Sequence, residues 1–145
     1  MTGELIDILS DVSNRFQQQL RGDVQTFDIG LTPFESKVLV TIGNLPGATQ
    51  REVAAWLGCD KAQLARAIKT LGVRSLVART PSVYDWRAWN LMLTPKGRAV
   101  FANFQARRAA VAQACLANVT TEEREMLFSI LTKMADGLLS RPEQQ

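Results

Sequence analysis

A short stretch, residues 61–71 (KAQLARAIKTL), carries the polar side chains whose types and spacing best suit molecular recognition. In an α-helix, with about 100° per residue, its apolar side chains share one side and its polar or small ones share the other. The inward set is Leu64, Ala67, Ile68 and Leu71, and the outward set is Ala62, Gln63, Arg66, Lys69 and Thr70. Glutamine can bond an adenine edge, arginine a guanine edge and lysine a phosphate. The outward set is interpreted as a surface for the DNA major groove, with an ordinary solvated helix face as the alternative.

Residues suited to catalysis or metal binding are scarce. The chain has no histidine, which removes the commonest general base and the commonest metal ligand. Its two cysteines, Cys59 and Cys115, are too few for a disulfide framework or a metal site. We expect reduced thiols, with Cys59 as a small packing group and a redox switch as the alternative. The sequence therefore predicts a protein that is not an enzyme and that uses no cofactor or metal.

Charge is distributed unevenly along the 145 residues. Residues 1–30 carry two basic and five acidic side chains, residues 31–97 carry nine and four, and residues 98–145 carry six and five. The middle segment thus has a net charge of +5, although the whole chain has only +3. A basic segment within a larger scaffold is typical of a region that binds a polyanion.

Hydropathy indicates a cytoplasmic protein without a membrane span. Apolar residues make up 46% of the chain, but no apolar run approaches the roughly 20 residues that a spanning helix needs. Glu4 and Asp7 lie where a secretory signal would be basic and then apolar. We therefore expect one compact cytoplasmic unit with a sizeable core.

The elements around residues 61–71 predict a helix-turn-helix. Thr49 and Glu52 form a T-x-x-E capping box that starts a first helix. Gly58 is suited to end that helix with a positive φ, and Asp60 can cap the next one. Earlier in the chain, Thr32-Pro33-Phe34-Glu35 announces another helix in the same way.

Two β-prone runs follow, at residues 76–78 and 89–93, with turn formers in the loop between them at 79–88. A hairpin directly after a recognition-type helix is a wing, so the sequence predicts a mainly α fold, an α+β winged helix. The loop also carries Val83, Tyr84 and Trp86, with Trp89 just beyond it. We expect these aromatic residues to pin the wing to the body, with a ligand or partner surface as the alternative.

Amphipathic helices are predicted at both ends of the chain, over residues 2–22, 95–118 and 120 onward. They carry more apolar surface than a winged core of about 65 residues can cover. We expect residues 1–30 and 95–145 to form a helical dimer interface around a DNA-binding core at 31–94. Packing within one chain is the alternative.

Several segments together resemble the MarR family of bacterial transcriptional regulators. They are GLTPFESKVLVTI, TQREVAAWLGCDKAQLARAIKTL, and a wing containing DWRA and closed by LMLTPKGRAVF, in the order found in the family. The resemblance implies a homodimer that binds a pseudo-palindromic operator in double-stranded DNA. It also implies release by a small, often aromatic or phenolic, effector. The runner-up is a winged-helix module that binds a protein or sequesters a ligand without recognising an operator.

By position, the resemblance assigns DNA-binding roles to particular residues. Lys61, Gln63 and Arg66 match the recognition helix, and Arg79 lies at the wing base. Asp85 matches the wing acid that orients an arginine, and Arg87 matches the arginine that enters the minor groove, with a structural salt bridge as the alternative for this pair. Trp86 occupies a position where relatives often have a second basic residue, which reduces the predicted phosphate contact.

Overall fold

The computed structural model describes residues 1–24 and 29–139 of the chain. These residues form six helices and one antiparallel pair of strands, so the predicted mainly α winged-helix fold is confirmed. In chain order the elements are α1 (Thr2–Val24), α2 (Pro33–Asn44), α3 (Gln50–Leu57), α4 (Lys61–Val73), β1 (Val77–Pro81), β2 (Trp89–Leu93), α5 (Pro95–Cys115) and α6 (Thr121–Leu139).

Three helices start at capping boxes of the T-x-x-E type, including the two identified in the sequence above. In each box the threonine hydroxyl accepts from the backbone N–H three residues later, and the glutamate there accepts from the threonine N–H. The pairs are Thr32 with Glu35, Thr49 with Glu52, and Thr120 with Glu123, at 2.9–3.2 Å. Each box satisfies backbone donors that a helix start would otherwise leave unpaired.

The corner between α3 and α4 is three residues long. Gly58 ends α3 in the left-handed conformation, with a φ of 61°, and donates to the carbonyl of Ala54 at 2.9 Å. Asp60 then caps α4 by accepting from the backbone N–H of Ala62 at 3.3 Å. The half-buried Cys59 packs against the core between them. The predicted helix-turn-helix is therefore present, with Gly58 ending α3 and Asp60 capping α4 as the sequence predicts.

The core lies where α2, α3 and α4 meet the sheet. All four residues of the predicted inward set on α4 are buried, and Leu64 and Leu71 are wholly inaccessible to solvent. Other side chains that are fully or almost fully buried include Val38, Leu39, Ile42, Val53 and Leu91. Burial of a leucine stabilises a fold by about 1.5–3 kcal/mol, so this cluster holds α4 in one orientation.

The hairpin is longer than the sequence predicts. β1 extends to Pro81 instead of ending at Ala78, and its residues pair with β2 from Val77 opposite Leu93 to Pro81 opposite Trp89. Proline is typical of turns, but at the last position of an edge strand its missing N–H removes no necessary hydrogen bond. The loop is accordingly residues 82–88.

The other edge of β2 joins the wing to the helix-turn-helix. The backbone N–H of Leu91 donates to Ala48 at 2.8 Å, and that of Gly47 donates to Leu91 at 3.0 Å. Because residues 47–49 lead directly into α3, these bonds fix the base of the wing relative to that helix.

The start of α5 is attached to the corner between α4 and β1. The Thr94 hydroxyl accepts from the backbone N–H of Gly97 at 3.0 Å and donates to the carbonyl of Ser75 at 2.5 Å. Gly97 is buried here, and a Cβ added to it would collide with the carbonyl oxygen of Leu76. Only glycine permits this approach of helix to backbone.

The chain folds as two compact units, one over Met1–Val111 and a second from Ala112 onward. In the first unit, Arg107 on α5 donates to the carbonyl of Leu20 at 2.9 Å, and Arg108 lies over the ring of Phe16. Large apolar side chains of α1 nevertheless stay exposed: Leu5, Ile6, Ile8, Leu9 and Val12.

The second unit contains α6, which has no buried residue. Its exposed apolar side chains are Met126, Leu127, Phe128, Ile130, Leu131, Leu138 and Leu139. None of the helices in residues 1–24 and 29–139 is long and apolar enough to cross a membrane.

Replacing Gly97 with alanine should destabilise the protein strongly. The new methyl group would meet backbone atoms of Leu76, which cannot rotate away as a side chain could. We expect Gly97→Ala to lower the free energy of unfolding by about 3 kcal/mol, measured by denaturant titration followed by circular dichroism. Gly3→Ala is the matched control, because a Cβ at Gly3 meets nothing within 4 Å. Equal stability of the two variants would contradict the close approach at Gly97.

Candidate nucleic-acid interface

The outer side of α4 presents a polar surface to solvent. Lys61, Gln63, Arg66 and Lys69 are all exposed, and the small Ala62 lies among them. The Thr70 hydroxyl, which the sequence places on this face, donates to the carbonyl of Arg66 at 3.1 Å and is therefore engaged within the helix. Since small residues alternate with long polar ones, the surface allows close approach of a partner and offers hydrogen-bond donors to it.

A cleft brings the end of this surface to the base of the wing. It has a volume of about 360 Å³ and is lined by Ile68, Lys69, Gly72, Val73, Val77 and Arg79. Lys69 on α4 and Arg79 on β1 thus line the same depression, although they are ten positions apart in the sequence. Two cations on one concave surface attract an anion such as a phosphate.

The two wing arginines each lie over an indole ring. The guanidinium carbon of Arg79 is 6.0 Å from the ring centroid of Trp89, and that of Arg87 is 5.0 Å from the centroid of Trp86. Cation–π contacts of this kind are worth about 0.5–1 kcal/mol at exposed sites. These contacts orient the guanidinium groups of both arginines and leave their charge accessible to solvent.

Asp85 organises the wing loop through the backbone. Its carboxylate accepts from the backbone N–H of Arg87 at 3.0 Å, and its carbonyl accepts from the N–H of Ala88 at 3.0 Å. The Arg87 guanidinium lies over Trp86 instead of bonding to that carboxylate. The salt bridge that is the alternative for this pair is therefore not formed between these two described residues.

The expectation that the aromatic residues pin the wing to the body is wrong for the loop. Val83 is 91% exposed, Tyr84 98% and Trp86 82%, whereas Trp89 on β2 is 48% exposed and lies under Arg79. The physical reason is local hydrogen bonding. The Ser82 hydroxyl accepts from the N–H groups of Tyr84 and Asp85 at 3.2 and 3.4 Å, so the loop folds on itself and its side chains project outward.

Sequence reasoning missed the role of Arg74. Its guanidinium donates to the carbonyl of Ile29, 45 residues earlier, and its own carbonyl accepts from the Lys96 ammonium at 3.2 Å. Arg74 therefore ties the segment before α2 and the start of α5 to the end of α4. No local pattern could have indicated contacts between residues so far apart in the sequence.

Among residues 1–24 and 29–139, no three histidine, cysteine or acidic side chains are grouped so that they could hold a metal ion. Cys59 is half-buried against the core and Cys115 is exposed on α5. The polar face of α4 with the adjoining wing is accordingly the surface that best suits a ligand.

Comparison with known proteins gives this surface a context. The sequence pattern of the MarR family matches residues 31–88, which run from the start of α2 through the wing loop. The transcriptional regulator BilQ of Clostridium symbiosum, a helix-turn-helix protein, is 30% identical over 96 residues, covering 66% of this chain and 67% of BilQ.

The chain belongs to the MarR family. It is therefore a transcriptional regulator with a DNA-binding winged helix and not an enzyme.

Solved structures of other transcriptional regulators have the same fold. The regulator PA3341 superposes with a TM-score of 0.81 at 27% identity, covering 94% of this chain and 99% of PA3341. A mutant MarR from E. coli, solved in complex with operator DNA, superposes with a TM-score of 0.71 at 24% identity, covering 90% and 93% of the two chains.

The cap of α4 provides a test of how this MarR-family helix is positioned. Asp60→Ala removes the acceptor for the backbone N–H of Ala62, so we expect the free energy of unfolding to fall by about 1 kcal/mol. Asp60→Asn is the matched control, because asparagine caps helices about as well as aspartate. Denaturant titration distinguishes the two. Equal losses in both variants would mean that the charge of Asp60, and not its capping hydrogen bond, supports α4.

Proposed function

We propose that this chain is a cytoplasmic, homodimeric repressor that binds a pseudo-palindromic operator and is released by a small aromatic or phenolic ligand. The observation that carries the proposal is the exposed polar face of α4, which meets the wing base at the cleft shared by Lys69 and Arg79. That the E. coli MarR, which has this fold, was solved on operator DNA supports duplex DNA as the partner.

In this proposal α4 enters the major groove. Gln63 and Arg66 lie one helical turn apart, so they read neighbouring base edges, Gln63 an adenine and Arg66 a guanine. Lys61 and Lys69 contact phosphates on either side and set the register. The exposed position of all four side chains supports these roles.

The wing binds the adjacent minor groove. Arg87 inserts into it, because a narrow minor groove has an enhanced negative potential that attracts arginine. Asp85 holds the loop that presents Arg87 through its bond to the Arg87 backbone, and Arg79 contacts the phosphate backbone at the wing base.

Two copies are needed to read a palindrome. Their α4 helices must lie about 34 Å apart to occupy successive major grooves on one face of the duplex. We propose that residues 1–30 and 95–145 form the dimer interface and residues 31–94 the DNA-binding core. The exposed apolar side chains of α1 and α6 support this division, since contiguous apolar surface on a protein marks an interaction site.

Release by the effector follows from the same geometry. A ligand shifts an equilibrium only by its differential affinity for the two states. The effector must therefore bind best to a dimer whose α4 helices no longer match the repeat of about 34 Å.

Arg66→Ala should weaken operator binding and blur its sequence preference. Loss of a bidentate contact to guanine costs about 1–3 kcal/mol at the base it reads. Arg87→Ala should instead lower affinity for many sequences alike and reduce the slope of log K against log salt concentration by about 1. Gel-shift titrations on duplexes selected from a random pool, repeated at several salt concentrations, measure both effects.

Lys37→Ala is the control for both arginines. It removes one positive charge from an exposed site on α2, outside α4, the wing and the proposed dimer interface, and should change neither affinity nor slope. DNA binding that is indifferent to Arg66→Ala and Arg87→Ala would remove both roles and favour a module that binds a protein or a ligand.

The dimer proposal predicts a solution mass twice that of one chain. Ile130 lies in the middle of the apolar row of α6 and is 46% exposed in the single chain. Ile130→Glu would bury a charge at the interface, so we expect it to shift the species towards monomer by several-fold in sedimentation experiments. Val73→Glu makes the same change at an exposed site on α4 and should leave the dimer intact. A monomeric unmodified protein at micromolar concentration would refute the proposal.

A further inference from the structure

Among the described residues of the first unit, the wing loop, residues 82–88, carries the most exposed aromatic side chains. Tyr84 is 98% exposed and Trp86 82%, and Val83 beside them is 91% exposed. Such side chains bury large apolar areas when they find a partner, and leaving them in water costs free energy. Neighbouring exposed apolar groups of this size indicate a contact surface.

The loop holds these side chains outward by a closed set of hydrogen bonds. Ser82 donates its N–H to the carbonyl of Ala88 at 3.0 Å, and the Ser82 hydroxyl accepts from the N–H groups of Tyr84 and Asp85. The ladder below it pairs Pro81 with Trp89. A loop organised in this way loses little conformational entropy when it binds, which favours affinity.

Charge around the aromatic residues suits a polyanion. Arg87 lies over the Trp86 ring and Arg79 over the Trp89 ring, so cations accompany the apolar surface. The acidic group of the loop, Asp85, bonds to the backbone N–H of Arg87. Apolar side chains inserted beside arginine are the arrangement by which proteins wedge open a base step from the minor groove.

We propose that Tyr84 and Trp86 form a wedge that enters the minor groove next to Arg87, partly unstacks one base step and kinks the duplex. This inference rests on the proposed function, since it requires the wing to reach duplex DNA. The wedge also predicts sequence specificity at a base step that forms no hydrogen bond with a side chain. The step under each wing should be TA or CA/TG, because pyrimidine–purine steps deform most easily.

The experiment uses the full-length protein and a duplex that it enriches from a random pool. The adenine analogue 2-aminopurine, whose fluorescence is quenched by stacking, replaces single adenines along that duplex. We expect the fluorescence to rise severalfold on binding at one step in each half-site. Energy transfer between dyes at the duplex ends should report a kink within the range of roughly 20–90° typical of apolar wedges.

The double variant Tyr84→Ala/Trp86→Ala should abolish the fluorescence rise and remove at least about 20° of the bend. Its affinity should fall about tenfold, as expected when stacking of an aromatic side chain on a base is lost. The slope of log K against log salt should not change, because apolar contacts release no counterions. Arg87→Ala, by contrast, should reduce the slope of log K against log salt by about 1, because it removes a cation that contacts the DNA.

Trp56→Ala is the matched control. Trp56 is 72% exposed on α3, outside the wing, so its loss should leave both the fluorescence rise and the bend unchanged. If the double variant binds and bends the duplex as the unmodified protein does, the wedge is refuted while the proposed function stands. If the double variant binds and bends the duplex normally but has a lower solution mass than the unmodified protein, the aromatic residues contact another protein chain. That outcome would also refute the wedge. If no duplex is enriched from the pool, both proposals fail.

Discussion

Burial of one side of α4 is the constraint on which the rest of this molecule depends. Leu64, Ala67, Ile68 and Leu71 enter the core formed with α2, α3 and the sheet. Because side chains on a helix are fixed in angle relative to one another, their burial also fixes the outward direction of Gln63 and Arg66. Burial of the apolar side of α4 therefore determines that its polar side faces solvent.

The base of the wing is positioned by main-chain bonds as well as by the hydrophobic core, which includes Val77, Leu91 and Leu93 of the two strands. β2 pairs with β1 on one edge and with residues 47–49 on the other, so the base of the hairpin is held next to α3. Beyond Pro81 the loop is supported by its own serine and aspartate side chains. Because the loop is held by its own hydrogen bonds, its aromatic side chains need not pack against the core, and they are exposed to solvent. The first unit thus carries both the polar face of α4 and a wing with exposed arginine and aromatic side chains.

The net positive charge lies mainly in a different segment from the long rows of exposed aliphatic side chains. The +5 segment at residues 31–97 contains α4 and the wing, whereas exposed apolar rows occupy α1 and α6, whose segments carry net charges of −3 and +1. Segments with net charges of −3 or +1 repel their own copies less than a segment with +5 does, so the chain ends are better suited to self-association than the basic middle. Within the first unit, Arg74 bonds from the end of α4 to the segment before α2.

Local patterns in the sequence determined much of the fold. The capping boxes, the glycine at the α3–α4 corner and the 3.6-residue spacing of apolar residues depend on interactions between near neighbours, so they could be predicted without knowing the tertiary structure. The same periodicity predicted the exposure of Ala62, Gln63, Arg66 and Lys69, whereas Thr70, placed on the same face, is half-buried.

The tertiary structure alone decided features that depend on distant partners. The extension of β1 to Pro81 required pairing with β2, and the need for glycine at position 97 came from the backbone of Leu76. The fate of Tyr84 and Trp86 followed the same rule. An aromatic residue beside a strand is as compatible with packing as with exposure, and only the three-dimensional course of the loop removed any surface against which those rings could pack.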